Sequence, residues 1–321
     1  MNEPLDRDEL SVIFLMGFRQ SGTTILSSVL GSIDGFTDLG EVHNIWGQRG
    51  RGWPKCGCEL RIDECPFWGD IVGEVVSEGG DSSLVGLHDA DPRAMERLRT
   101  DWVRHWRRSR LVVGSRIRPG DEIAERYLGS IGPLYKRAAA KNGSVLIDSS
   151  KDPAFAAALD QIPGITSHLV HVVRDPRAAF WSRVRKSHGG SGDDSSLLAA
   201  RFAGSWMRTN SLSELAMKRH QSGRTTRVRY EDFVANPTDV LLDISVMAGV
   251  DPGALPIHNS TTAILRPNHT ASGNARVRFR SGPVELKLDD EWRRQLDRKG
   301  RRVVTALTAP LLLRYGYPLA P

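Results

Sequence analysis

The chain has 321 residues, of which 40% are apolar and 26% charged, with a formal net charge of +6 and a pI of about 9.4. That is the composition of a soluble globular protein with room for a sizeable core. The basic balance suits either a solvated surface or attraction for an anionic ligand. A nucleic-acid partner is not expected: the densest basic run, WVRHWRRSRL (102–111), also fits one face of a helix. The first apolar run, VIFLM (12–16), is too short for a membrane span and follows an acidic start, so a cytoplasmic protein is expected. Three cysteines, an odd number, argue against a secreted disulfide framework.

Residues 1–11 are expected to be a flexible start. VIFLM ends in Gly17 and suits a buried parallel strand. SGTTILSSVLGSI follows as a helix, with Ile25, Leu26, Val29, Leu30 and Ile33 at helical spacing. A strand is expected over 36–39 and a loop over 49–65, with helices near 66–78, 92–108 and 121–141. SVLIDSS (144–150) and HLVHVV (168–173) read as further strands, each followed by a helix, and Pro176 fits a first helical turn. HGGSGDDSS (188–196) reads as a loop before a long helix near 196–220. RTTRVRY (224–230) is strand-like, 236–250 is a helix, 251–283 is irregular and polar, and helix resumes from about 289. Strand alternating with helix predicts an α/β fold, a parallel sheet with helices on both faces, in one domain over 1–321.

FLMGFRQSGTTIL (14–26) has the outline of a phosphate-binding loop, with Gly17, Gly22, Thr23 and Thr24 in place. A nucleoside triphosphatase would put Lys where Thr23 stands, to neutralise charge on the outer phosphates. Ser21, Gly22, Thr23 and Thr24 still offer backbone N–H groups at a helix N-terminus, and three of them offer hydroxyls. A sulfuryl group carries less charge than a phosphoryl group, which favours a transfer without a metal. In VVRDPRAAFWS, Arg174 closes a strand and Ser182 stands on the next helix, a pair able to grip a phosphate from two sides; an Arg–Asp turn and an ordinary helix serine is the plainer alternative.

SGTT after the first strand, VVRDPRAAFWS after a later one and RYEDFVANP (229–237) occur in the order seen in sulfotransferases that use 3′-phosphoadenosine-5′-phosphosulfate (PAPS). DLGEVHNIW, CGCELRIDECPFW, IDSSKDP and SGNARVRFRSGPVEL…DDEW resemble the bacterial branch of that family. The resemblance runs over about 12–298 and implies a P-loop-like sulfotransferase fold, PAPS as cosubstrate and 3′-phosphoadenosine-5′-phosphate as product. It also implies that Ser21, Gly22, Thr23 and Thr24 hold the 5′-phosphosulfate, that Arg174 and Ser182 hold the 3′-phosphate, and that Tyr230 approaches the adenine. Arg276 or Arg278 adds a basic contact from the C-terminal loop.

One position departs from the family, which usually has Lys or Arg immediately before SGTT. Here Gln20 stands there, with Arg19 one residue earlier, so the cation is Arg19, or Gln20 serves as a neutral donor, or Lys151 carries the charge. Lys151, in IDSSKDP, matches a catalytic lysine of tyrosylprotein sulfotransferases and is the favoured stabiliser of the leaving phosphate. Glu41 matches the base of this branch, and partial burial is expected to raise its pKa; His43 is the competing base. Cys56, Cys58 and Cys65 are read as a structural loop near the acceptor pocket; zinc with a fourth ligand such as His43, or a disulfide, are the alternatives, and no metal is expected. Segments 42–110 and 187–215 are expected to shape the acceptor pocket for a small molecule, carbohydrate, lipid or peptide. Trp46, Trp53, Trp68, Trp102 and Trp106 fit packing better than acceptor stacking. A homo-oligomer is compatible with this reading. The rivals are a P-loop kinase or nucleotidase, and a non-catalytic nucleotide- or nucleic-acid-binding module.

Overall fold

The computed structural model describes residues 10–46, 52–78, 112, 122–143, 145–186, 195–221 and 223–320. The expected helix at 92–108, the basic run 102–111, Trp102, Trp106 and most of the loop 188–196 lie outside the described residues, as do 1–9 of the expected flexible start. Its other two residues, Leu10 and Ser11, belong to the first strand.

Five strands form one parallel sheet: β1 (Leu10–Gly17), β2 (Phe36–Gly40), β3 (Val145–Lys151), β4 (Ile165–Val173) and β5 (Thr225–Arg229). Their spatial order is β2-β3-β1-β4-β5. β1 is central because it is apolar on both faces: Val12 to Met16 are each fully buried. Val12, Phe14 and Met16 face one core, Ile13 and Leu15 the other. Each such side chain contributes about 1.5–3 kcal/mol on burial, so this one strand ties both layers together.

The helices are α1 (Thr23–Leu30), α2 (Trp68–Glu78), α3 (Glu122–Asn142), α4 (Pro153–Leu159), α5 (Pro176–Lys186), α6 (Ser195–Arg219), α7 (Tyr230–Ala235), α8 (Pro237–Met247), α9 (Ala275–Arg278), α10 (Trp292–Gln295) and α11 (Arg298–Arg314). Residues of α2, α3 and α4 fill the Phe14 core, and residues of α1, α7 and α8 fill the Ile13 core. A third cluster joins α5, α6, α10 and α11 around Phe180, Phe202, Trp206 and Leu312. The expected parallel α/β sheet with helices on both faces is therefore the fold.

Two local expectations are corrected, and one, the packing role of the tryptophans, holds for those described. Tyr230 does not end a strand but opens α7. Residues 251–283 are not wholly irregular: β6 (Ile257–Asn259), β7 (Thr262–Leu265) and β8 (Gly282–Glu285) make a small antiparallel sheet packed on the Ile13 core. The tryptophans Trp46 and Trp68 are fully buried and Trp53 packs against the Phe14 core, so these three are packing residues. Among the described residues no helix is long and apolar enough to cross a membrane.

Beneath the C-terminal edge of the sheet lie two buried carboxyls, Asp38 and Asp148. Burial pushes Asp38 up to about 7, against hydrogen bonds from Gly40 N–H and Ser27. Burial likewise pushes Asp148 up to about 6, against hydrogen bonds from Ser150 and Tyr135. A folded state that binds such a proton more tightly than the unfolded chain loses stability as pH rises between the two pKa values. For Asp38 that window runs from its ordinary 3.8 to about 7. Asp38→Asn keeps an acceptor for Gly40 and removes the titration. Its Tm should exceed the parent's at about pH 8, with the difference shrinking toward about pH 4. Scanning calorimetry at both pH values checks this; parallel Tm curves would contradict it.

Candidate active site

The five parallel strands end at one edge of the sheet, and the candidate residues follow those strand ends or lie on segments packed against them. Gly17 pairs with Val172 across β1 and β4, and Met16 pairs with Lys151 across β1 and β3. Gly40 pairs with Asp148 across β2 and β3. Parallel pairing, with one register shift in each of the β1–β3 and β2–β3 ladders, thus places Glu41, Lys151, the loop 18–22 and Arg174 side by side.

Glycine is required twice in the loop. A Cβ on Gly17 would lie 2.5 Å from the Val172 carbonyl oxygen and 2.9 Å from Ser21 Oγ. A Cβ on Gly22 would lie 2.2 Å from Tyr230 Cδ2, and Gly22 has φ +91°, in the left-handed region. Tyr230 therefore covers the helix N-terminus that Gly22 caps. Gln20 also has a left-handed φ of 65° without being glycine, a strain of about 1–3 kcal/mol of the kind found at ligand clamps. The Arg174 guanidinium helps to hold it there: Nη1 donates to the Gln20 carbonyl at 3.1 Å, while the guanidinium stacks 4.7 Å from the Tyr230 ring centre.

Loop, arginine and tyrosine thus form one unit. Ser21, Thr23 and Thr24 are buried in it, whereas Arg19 is exposed. Ser21 Oγ and Arg174 Nε are buried, with no hydrogen-bond partner among the described residues. A buried donor left unpaired costs about 1–3 kcal/mol, so two of them at one glycine loop fit an anion with several acceptor oxygens.

Arg174 is not half of an Arg–Asp turn pair. Asp175 is taken by Arg177, whose Nε and Nη2 donate to its two carboxylate oxygens at 2.9 and 2.7 Å. Arg177 also donates to the Pro318 and Leu319 carbonyls, which fixes the turn against the chain's C-terminal segment. Arg174 itself makes no ion pair among the described residues.

Ser182 is buried on α5, and Lys186 stands four residues on, one helical turn along the same face. Burial lowers the pKa of Lys186, and the nearby positive charges of Arg276, Arg174 and Arg185 lower it further. The cations of α5, α9 and the β4 end therefore share one locality. Sequence reading missed Lys186; its i+4 spacing from Ser182 was the available signal. Between the two candidate arginines of the C-terminal loop, Arg276 is exposed near this cluster. Arg278 is buried, and its Nη1 donates to the carbonyls of Lys55 at 2.6 Å and Ala271 at 3.4 Å.

On the other side of the loop, Lys151 forms an ion pair with Glu41. Both side chains are mostly buried, at 16% and 19% exposure. Lys151 Nζ also donates to the Ser149 carbonyl at 3.2 Å, and Asn44 Nδ2 donates to Glu41 Oε2 at 2.8 Å. Lys151 has a left-handed φ of 71°. His43 lies two residues from Glu41, its N–H donating to Ser150 Oγ at 3.2 Å. Burial pushes Glu41 upward, but Lys151 and His43, with hydrogen bonds from Lys151 and Asn44, outweigh it and hold the carboxyl below its ordinary value. The expected upward shift is thus reversed in this structure.

A segment near the C-terminus closes this edge. Ala271 N–H donates to the Leu39 carbonyl at 2.8 Å and Glu41 N–H to the Ser272 carbonyl at 3.0 Å. Gly40 has no room for a Cβ, which would lie 2.5 Å from the Ser272 carbonyl oxygen.

Comparison with known proteins agrees with this architecture. The structure is similar to the sulfotransferase domain of the olefin synthase of Synechococcus PCC 7002, at 18% identity and a TM-score of 0.51, covering 99% of this chain and 98% of that one. It is also matched to sulfotransferase STF9 from Mycobacterium avium, at 14% identity and a TM-score of 0.47, covering 99% of this chain and 79% of that one. A search of curated protein sequences finds no match. The model of the sulfotransferase family matches residues 12–251. With most of its length matched, and with the P-loop-like sheet order of the fold in place, the chain belongs to the sulfotransferase family.

Proposed function

We propose that the chain, acting as one catalytic unit, moves a sulfuryl group from PAPS to a hydroxyl or amine of an acceptor. The observation that carries this reading is the gathering of Arg174, Lys186 and Arg276 beside a glycine loop that lacks the triphosphatase lysine. Positive side chains gathered in one place suit an anion of several charges, and a 3′-phosphate is an anion that a nucleoside triphosphate does not carry. Two anion sites on neighbouring strand ends suit one nucleotide phosphorylated at both positions.

In this reading, the backbone N–H groups of Ser21 to Thr24 and their hydroxyls take the 5′-phosphosulfate. Arg174, Ser182, Lys186 and Arg276 take the 3′-phosphate, and the Tyr230 ring lies along the adenine. Gln20 shapes the loop through its backbone, and exposed Arg19 is not the cation it lacks. Lys151 supplies that cation to the oxygen between phosphorus and sulfur. The acceptor oxygen or nitrogen forms its bond to sulfur as the bond from sulfur to the 5′-phosphate oxygen breaks. The electron pair leaves with 3′-phosphoadenosine-5′-phosphate, and the acceptor proton passes to Glu41. No step calls for a metal ion. Attraction of Lys151 toward the donor loosens its hold on Glu41, which lets burial raise that carboxyl toward the range a base needs.

Calorimetry with 3′-phosphoadenosine-5′-phosphate tests the donor site. The nucleotide should bind more tightly than ATP with Mg²⁺, and Arg174→Ala should weaken it by about tenfold to a hundredfold, as for a lost charge-assisted bond of about 1.5–3 kcal/mol. Lys186→Met should weaken it less, because that side chain is more exposed. Tighter binding of ATP with Mg²⁺, or an unchanged Arg174→Ala, would favour a kinase instead.

The Glu41–Lys151 pair gives a second test. Lys151→Met removes the largest influence that lowers Glu41 and leaves burial in place, so the Glu41 pKa should rise. A pH titration of labelled glutamate by NMR measures this directly and needs no acceptor. A Glu41 pKa unmoved by the substitution would dissolve the pairing on which the base assignment rests.

A further inference from the structure

Cys56, Cys58 and Cys65 do not sit alone in their loop. Their sulfurs and Nδ1 of His269 all lie within 4.8 Å of one another. Cys65 Sγ is 3.4 Å from Cys56 Sγ, 3.6 Å from Cys58 Sγ and 3.2 Å from His269 Nδ1. Cys56 Sγ is 3.7 Å from His269 Nδ1. Ligands 2.0–2.3 Å from a tetrahedral zinc stand about 3.5–3.8 Å apart, so the four pairs at 3.2–3.7 Å already have nearly the separation that one zinc imposes, with the remaining pairs inside 4.8 Å. Disulfide sulfurs stand about 2.05 Å apart, and none of these pairs approaches that.

We propose that Cys56, Cys58, Cys65 and His269 form a structural zinc site. The fourth ligand is His269, not His43, which is outside the cluster. The surroundings are those of a zinc knuckle. The backbone N–H of Cys58 is directed at Cys56 Sγ, and those of Phe67 and Trp68 at Cys65 Sγ, a set of donors that favours thiolates. The His269 ring stacks on Phe67 at 5.4 Å and 13°, and its carbonyl accepts from Trp68 Nε1. Gly57, between the first two cysteines, has no room for a side chain: a Cβ would lie 1.9 Å from Asn268 Oδ1. Its N–H donates to the Thr270 carbonyl at 2.9 Å.

The site is structural because all four tetrahedral positions are filled by protein, leaving none for a reactant. It joins two stretches far apart in sequence, the loop 56–65 and the segment 268–272 that holds Leu39 and Glu41 by their backbones. Zinc here fixes the lid of the Glu41 edge and takes no part in the transfer. Binding releases protons from the thiols, so metal affinity falls with falling pH. The proposal is independent of the PAPS reading, since metal content is measured without nucleotide or acceptor.

Elemental analysis of chain purified under reducing conditions without chelator should give about one zinc per chain. Cobalt exchanged into the site should show thiolate-to-metal charge-transfer absorption, and a strong chelator should lower Tm. His269→Ala should lose the metal, while His269→Cys, which restores a fourth soft ligand, should keep it. Circular dichroism on both variants separates metal loss from unfolding. Metal-free protein that takes up neither Zn²⁺ nor Co²⁺ would overturn the proposal. So would a native disulfide between any two of these cysteines, or zinc retained in full by His269→Ala.

Discussion

The register of β1 between β3 and β4 is the constraint on which the rest depends. Because the three strands run parallel, their C-terminal ends share an edge, and the pairings Gly17 with Val172 and Met16 with Lys151 set which residues meet there. A slip of one residue would turn Val12, Phe14 and Met16 to the opposite face and exchange the two apolar cores. Burial on both faces of β1 therefore fixes the site's geometry as firmly as it fixes the fold. The polar machinery is local punctuation on that frame: two crowded glycines, two left-handed non-glycine residues and an arginine that hydrogen-bonds a loop carbonyl.

The site has two electrostatic halves. Around Arg174, cations gather while Asp175 is taken by Arg177, and Arg174 itself makes no ion pair among the described residues. Around Lys151, a single cation is paired with a carboxylate at close range. In the proposed transfer the first half holds charge and the second responds to it, since the state of Glu41 depends on where Lys151 points. The ion pair is partly shielded from water, which gives that dependence a larger effect than an exposed pair would have.

Much of this was legible in the sequence where the signal is local. The apolar run before Gly17, the hydroxyl residues after Gly22 and the Pro176 helix start each follow from neighbouring residues. What escaped depends on distance along the chain. The direction of the Glu41 pKa shift was misread because Lys151 is 110 residues away, and the zinc alternative named a fourth ligand such as His43 because His269 lies 204 residues from Cys65. The small antiparallel sheet was missed because IHN, TAIL and GPVE are too short to show a period of two. Lys186 was overlooked because a helix-terminal lysine has no motif of its own, only its spacing from Ser182.

The central claim is that one adenosine nucleotide bridges the β1 loop and the β4 end. A crystal structure with 3′-phosphoadenosine-5′-phosphate tests it most directly. The account predicts the 5′-phosphate on the N–H groups of Ser21 to Thr24 and the 3′-phosphate on Arg174 and Ser182, with the base against Tyr230. A nucleotide bound with either phosphate away from these two strand ends would contradict it.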